Sequence, residues 1–245
     1  MYAFDIDSYV MGHIFSDDKR FYDANKKQFI DQAGYGERGA LQITTGIPQF
    51  ATLNEQKGII LDNTVHGQYH NPIPWHGSAI FVLKSNYITN APNDIAPLAI
   101  FGDATTVLTN GALYYQYNYG QRLLNLQTLS HRIILRLTKN DDAPIIVAFA
   151  LDQSTQSGYL SVDGVTVTTV AANQNITAGY NAALASAIHG ARFGVLNKDD
   201  ADVTKRNDVA VHVFEQHFFA DNILTNNLAD TKSFIDYLKD KYAIA

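Results

Sequence analysis

The densest gathering of reactive side chains in the sequence is the stretch HGQYHNPIPWH, which puts His66, Tyr69, His70, Trp75 and His76 inside eleven residues. Imidazoles are the usual metal ligands and proton carriers near neutral pH, and an indole stacks well on a sugar face. Two readings stand side by side. In one the stretch is a metal or glycan site on a molecular rim; in the other it is a structured loop that uses Trp75 as its plug. Its prolines make it a loop, where a spacing of four does not bring two imidazoles onto one helical face.

A second group is His212, Glu215 and His217 in VAVHVFEQHFF. Strand alternation puts Glu215 and His217 on one face and His212 on the other. Such a Glu-His pair can act as acid and base, or the Glu can be a structural carboxylate satisfied by its neighbours. A third group, Asp199, Asp200, Asp202 and Asp208 in NKDDADVTKRND, offers oxygen ligands to calcium, which takes about six to eight of them and usually a glycine-assisted turn. That stretch has no Gly, and a solvated charged loop is the competing reading. Tyr115, Tyr117 and Tyr119 alternate in LYYQYNYGQR and so share one strand face, where Tyr117 could stack on a sugar.

The elements that must position these groups are mostly strands. SAIFVLKS and PLAIFGDA are apolar runs suited to the middle of a sandwich, and HRIILRLTK and PIIVAFALD are separated by the polar NDDA. GYLSVDGVTVTTV is a hairpin in which Asp163-Gly164 signals a type I′ turn, pairing Val162 with Val165 and Leu160 with Val167. The chain closes with a strand from Val209 to Phe219, a polar turn and the helix TKSFIDYLKDKYAIA. Asp230 is the expected N-cap, and Phe234, Leu238 and Tyr242 beside Ile235 form one apolar stripe. Residues 1–30 read as an irregular arm and 31–245 as one domain. Many short strands, turn signals between them and one terminal helix define an all-β sandwich.

Composition narrows the function classes. With 46% hydrophobic and 17% charged residues, the chain can bury a substantial core. Eighteen basic against twenty-four acidic residues give a net charge of −6, without a Lys/Arg cluster larger than a pair, so nucleic acid is not an expected partner. The absence of cysteine excludes disulfides, cysteine-bound zinc and a thiol nucleophile. No apolar run approaches the roughly 20 residues of a membrane span, and MYAFDIDSYV lacks the order of a secretory leader. Synthesis in the cytoplasm without membrane insertion is expected.

The closing segment also carries a resemblance. A strand with Glu215, a turn with Leu224 and a helix with Tyr237-Leu238 and Lys241-Tyr242 resembles the end of bacterial and phage laminin-G-like domains. These belong to the concanavalin A-like lectin/glucanase, or jelly-roll, superfamily. Asp31 with Gly34 and Gly36, Asn54 with Gly58 and Asp62, Gly102-Asp103, and the Asp163-Gly164 hairpin fall where those domains carry their turns. The resemblance implies a concanavalin A-like jelly-roll β-sandwich of two antiparallel sheets with a short C-terminal helix, and it makes Glu215 a fold residue. It says little about activity, because one fold hosts many functions.

The glycoside hydrolases of that superfamily carry two Glu flanking an Asp on one strand, and its alginate lyases a Gln-x-His triplet; the sequence has neither. No catalytic residue, resident metal or cofactor is therefore expected, calcium at the Asp-rich loop being the one ion considered. The expected function is a non-catalytic binding or assembly module: a phage virion surface protein, capsid decoration or tail-associated adhesin. It would reach the virion surface after synthesis in the host cytoplasm, form an oligomer, dock on other virion proteins and bind surface polysaccharide. Trp75, His70, His76, Tyr69 and Tyr117 are the expected ligand-binding residues. The alternatives are a free-standing carbohydrate-binding lectin and a divergent polysaccharide lyase or glycoside hydrolase.

Overall fold

Residues whose apolar side chains alternate, or run unbroken, form two antiparallel sheets in the computed structural model. It describes residues 9–33, 40–61, 65–69, 78–87, 94–100, 112–118, 121–127, 132–137, 143–152, 157–164, 166–169, 192–193 and 209–245. The first sheet, A, runs β15 (Thr166–Thr169), β14 (Ser157–Val162), β13 (Pro144–Asp152), β8 (Ser78–Tyr87), β17 (Val209–Phe219), β6 (Gln56–Leu61) and β5 (Phe50–Leu53). Its β17 also pairs with β1 (Tyr9–Ile14). The second, B, runs β12 (Arg132–Arg136), β11 (Gln121–Gln127), β10 (Ala112–Asn118), β9 (Asp94–Ile100), β16 (Arg192–Phe193), β7 (His66–Tyr69), β4 (Leu41–Thr45), β3 (Gln28–Phe29) and β2 (Tyr22–Asp23). The polar NDDA segment thus joins strands of different sheets. Helix α1 (Leu228–Tyr242) follows β17.

Two apolar layers hold three layers of structure together. On β8, Ala79, Phe81 and Leu83 enter the core between the sheets, with Phe149, Val213, Phe29 and Leu124, while Ile80 and Val82 face α1. Phe234, Ile235, Leu238 and Tyr242 are the buried stripe of α1, and each of these side chains contributes about 2 kcal/mol of apolar burial. The helix begins earlier than its sequence suggests. Asn227 occupies the N-cap position without a side-chain cap bond, and Asp230 sits in the first turn. At the other end Ala243 adopts φ 52°, letting Ile244 N–H reach the Lys239 carbonyl at 2.9 Å and bury its own side chain.

The segment expected to be an irregular arm is woven into the sandwich from residue 9 onward. β1 pairs with the second half of β17, and Met11, Phe15 and Phe29 lie in the inter-sheet core. The Asp31 carboxylate accepts from Gly12 N–H at 2.9 Å and Ala33 N–H at 3.0 Å, fastening this strand.

The β14–β15 hairpin corrects another expectation. Val162 stands opposite Thr166 and Leu160 opposite Thr168, so the loop is one residue longer and Val167 pairs with Ser161. The cause is Asp163: its N–H donates to Ile146 O at 2.7 Å and its carboxylate accepts from Ile146 N at 2.8 Å, tying the turn to β13.

The β5–β6 hairpin turns on Asn54 and Glu55, at φ 46° and 63°, a two-residue loop that pairs Leu53 with Gln56. Left-handed backbone costs a residue with a Cβ roughly 1–2 kcal/mol. Replacing the exposed Glu55 with Gly is expected to raise stability by about 1 kcal/mol, read as a higher urea midpoint at unchanged slope. An unchanged or lower midpoint would remove the left-handed turn.

Candidate functional site

Glu215 and His217 do come together, and a bulge decides where. Val213 pairs with Leu83 but Glu215 with Val82, so Phe214 is an extra residue in β17. A bulge reverses the parity of the strand beyond it. Val211 and Val213 face the inter-sheet core, Phe214 and Phe219 lie in the layer against α1, and Phe218 returns to the core. His212 therefore falls on the same face as Glu215, contrary to strict alternation, though its strand partners there are Lys84 and Ile60. Burial, and then the Lys84 ammonium, lower the His212 imidazole. Phe214 has room because Gly58 lies beneath its ring: a Cβ at Gly58 would come within 2.5 Å of the ring.

The cluster around Glu215 is built from three elements. His217 Nε2 donates to Glu215 Oε2 at 2.9 Å, and Tyr242 Oη donates to Oε1 at 2.6 Å. Lys241 Nζ also donates to Oε1 and lies 5.4 Å from the Tyr242 ring centroid. On the far side, Tyr9 Oη and His217 Nδ1 share a hydrogen bond of 3.0 Å. That contact depends on Gly12, where an added Cβ would fall 1.6 Å from the Tyr9 hydroxyl. The Phe234 ring closes the roof edge-on to His217, with centroids 4.9 Å apart. Across the strand, Gln216 Nε2 donates to His13 Nδ1 at 3.0 Å in the other layer.

Glu215 and His217 are both 0% exposed. Burial alone would raise the Glu215 carboxyl, but the hydrogen bond and charge of His217, then those of Lys241, hold it at about 2. Burial pushes the Tyr9 phenol far up, and the Asp31 and Glu215 charges push it further. A half-buried phenol held protonated and a fully buried carboxylate held ionised meet beneath the helix and make a joint.

Of the expected ligand-binding residues, Trp75, His70 and His76 lie outside the described residues, as do Asp199, Asp200, Asp202 and Asp208. Tyr69 ends β7 opposite Leu41, and Tyr117 stands on β10 between Arg122 and Asp94, so both belong to sheet B and three strand steps separate β7 from β10. Among the described residues no group of three or more His, Cys, Asp or Glu is arranged to hold a metal ion, and no helix is long and apolar enough to cross a membrane. Tyr9, Gly12 and His13 are not legible as joint residues in the sequence, since their partners lie more than two hundred positions away.

No protein-family model matches the chain, and no curated protein matches it in sequence. Solved structures do resemble it. The binding domain of botulinum neurotoxin DC in complex with rat synaptotagmin II superposes at a TM-score of 0.59 with 11% identity, over 95% of this chain and 52% of that one. The same domain in complex with SialylT gives 0.58 and 10%, over 95% and 52%. Trypanosoma rangeli sialidase in complex with sialic acid gives 0.61 and 12%, over 100% of this chain and 35% of the sialidase. The chain spans about half of the neurotoxin domains and about a third of the sialidase. At such identities the likeness establishes the fold: a concanavalin A-like jelly-roll sandwich of two antiparallel sheets with a short C-terminal helix.

A carboxylate whose pKa falls on folding adds stability that is complete above its unfolded value and is lost as pH drops through the folded value. For Glu215 that window runs from about pH 5 down to about pH 2, and the shift corresponds to about 3 kcal/mol at neutral pH. Glu215→Gln is expected to be less stable by that order at pH 7, with the gap to the unmodified protein closing across the window. Urea melts at several pH values measure this, and a gap independent of pH would show that the carboxylate is not held down.

Proposed function

We propose that the chain is a non-catalytic binding module that presents a carbohydrate-binding surface. The observation that carries this reading is the full burial of Glu215 and His217 beneath α1, with Tyr9 half-buried beside them: the acid-base groups gathered in the described part of the molecule hold the fold together. The solved neighbours add support, being binding domains in complex with SialylT and synaptotagmin II and a sialidase in complex with sialic acid.

The ligand residues in this reading are Trp75, His70, His76, Tyr69 and Tyr117, with Trp75 and Tyr117 as stacking platforms. At its finest the proposal is a phage virion surface protein of laminin-G-like type, a capsid decoration or tail-associated adhesin. Docking on other virion proteins then falls to the sheet edge at β2, within the first thirty residues.

Incubation with a polysaccharide panel, with and without calcium, tests the binding reading by scoring retention and release of new chain ends. Retention without cleavage is expected, weakened at least tenfold by Trp75→Ala or Tyr117→Ala. New chain ends would make the protein an enzyme, and absence of retention from every polymer would overturn carbohydrate binding.

A further inference from the structure

Helix α1 does not cover the outer face of sheet A along its whole length. Ile145, Leu83, Val213 and Ile59 lie in the inter-sheet core, so their strand neighbours Pro144, Lys84, His212 and Ile60 stand on the opposite face. Register joins these four in one row across β13, β8, β17 and β6: Pro144 pairs with Lys84, Lys84 with His212, and His212 with Ile60. Two residues toward α1, Ile146, Val82 and Phe214 are fully buried in the layer beneath the helix. All four members of the Lys84 row are half-buried. The row is therefore a ledge beside the helix that solvent reaches.

Two basic residues face each other on this ledge without an acidic one. Like charges directly opposite on paired strands repel, and the Lys84 ammonium accordingly joins burial in lowering the His212 imidazole. Among the described residues no hydrogen bond or ion pair engages the side chain of Lys84 or of His212. From β6 and β13 the row brings Ile60 and Pro144, which carry no charge. Glu215 stands farther along this face of β17, but both its oxygens are engaged, one by His217 and the other by Lys241 and Tyr242 of the closing segment.

One kind of occupant fits such a pair. An ammonium and an imidazolium donate and do not accept, and their bonds to phosphate or carboxylate oxygens are about twice as strong as neutral ones. Half-burial strengthens that attraction relative to open water. An anion would replace one repulsion by two attractions, whereas a neutral sugar or a metal cation would leave the repulsion in place.

We infer that Lys84 and His212 form an oxyanion site on the outer face of sheet A, which takes a phosphate or carboxylate group, free or carried on a larger ligand. The site is separate from the carbohydrate surface proposed above, whose described residues Tyr69 and Tyr117 belong to sheet B. Because the anion prefers the protonated imidazole, binding tightens as pH falls and raises the pH at which His212 titrates.

The test titrates the full chain with inorganic phosphate and, separately, with acetate, beside sodium chloride at matched ionic strength. The His212 ring is followed by NMR from about pH 8 down to about pH 5, its signals assigned by their loss in His212→Gln. A saturable shift is expected with at least one of the two oxyanions and not with chloride, together with an upward move of the His212 titration midpoint. Lys84→Gln, or Lys84→Met should that variant fail to fold, should weaken binding at least tenfold, and Lys232→Gln on α1 should leave it unchanged. Absence of a saturable shift with both oxyanions, a shift that chloride reproduces, or undiminished binding by a folded Lys84 variant would overturn the site and leave the carbohydrate reading untouched.

Discussion

A carboxylate with no exposed surface sets the terms for the closing third of this fold. Burying Glu215 ionised would be prohibitive without partners, and those the structure supplies come from three separate places: His217 two residues along the strand, Lys241 and Tyr242 from the last turn of α1, and Tyr9 through His217. Each needs its own local device. The Phe214 bulge turns Glu215 toward the helix, Gly58 admits the displaced ring, and Gly12 admits Tyr9. The helix in turn is held at its end by Asn54, whose side-chain amide donates to the Lys241 carbonyl at 2.8 Å. Removal of the charge would loosen β1, β17 and α1 together, because all three meet at the same two oxygens or one bond beyond them.

This joint explains why a sequence can announce its fold without announcing its task. Asp31, Asn54, Gly58, Asp163, Glu215, Lys241 and Tyr242 carry the resemblance to laminin-G-like domains, and each makes a contact that fastens a strand, a turn or the helix. The apolar runs were equally legible: β17 has the limits its apolar run implies, and α1 buries the stripe its periodicity implies. What escaped were departures from periodicity. One extra residue at Phe214 brings His212 to the face of Glu215, and one extra residue after Gly164 shifts the partner of Val162 from Val165 to Thr166. Neither insertion has a local signature, since each is stabilised by a partner on another strand, Gly58 in the first case and Ile146 in the second.

The expected ligand-binding residues rest on composition, which does not separate two roles. Histidine and tryptophan in a proline-rich loop have the same composition whether they grip a ligand or plug a gap, and only their surroundings distinguish the two. Register neighbours across sheet B were invisible for the opposite cause: the row Gln42, Gln68, Arg192, Ile100, Ala112, Gln127 and Arg132 comes from seven strands scattered along the chain. Such a row exists only once register is fixed.

The distribution of chemistry over the four sheet faces follows from these constraints. Between the sheets, Phe81, Phe149 and Phe218 pack with ring centroids about 6 Å apart. On the outer face of sheet A, α1 packs over Ile80, Val82, Ile146 and Phe214, and Glu215 and His217 form the buried cluster beneath it. Among the described residues no helix covers the outer face of sheet B, where one register row runs from Asp23 through Gln28, Gln42, Gln68 and Arg192 to Arg132, so amides and charges of both signs share the face that neither the core nor the helix claims.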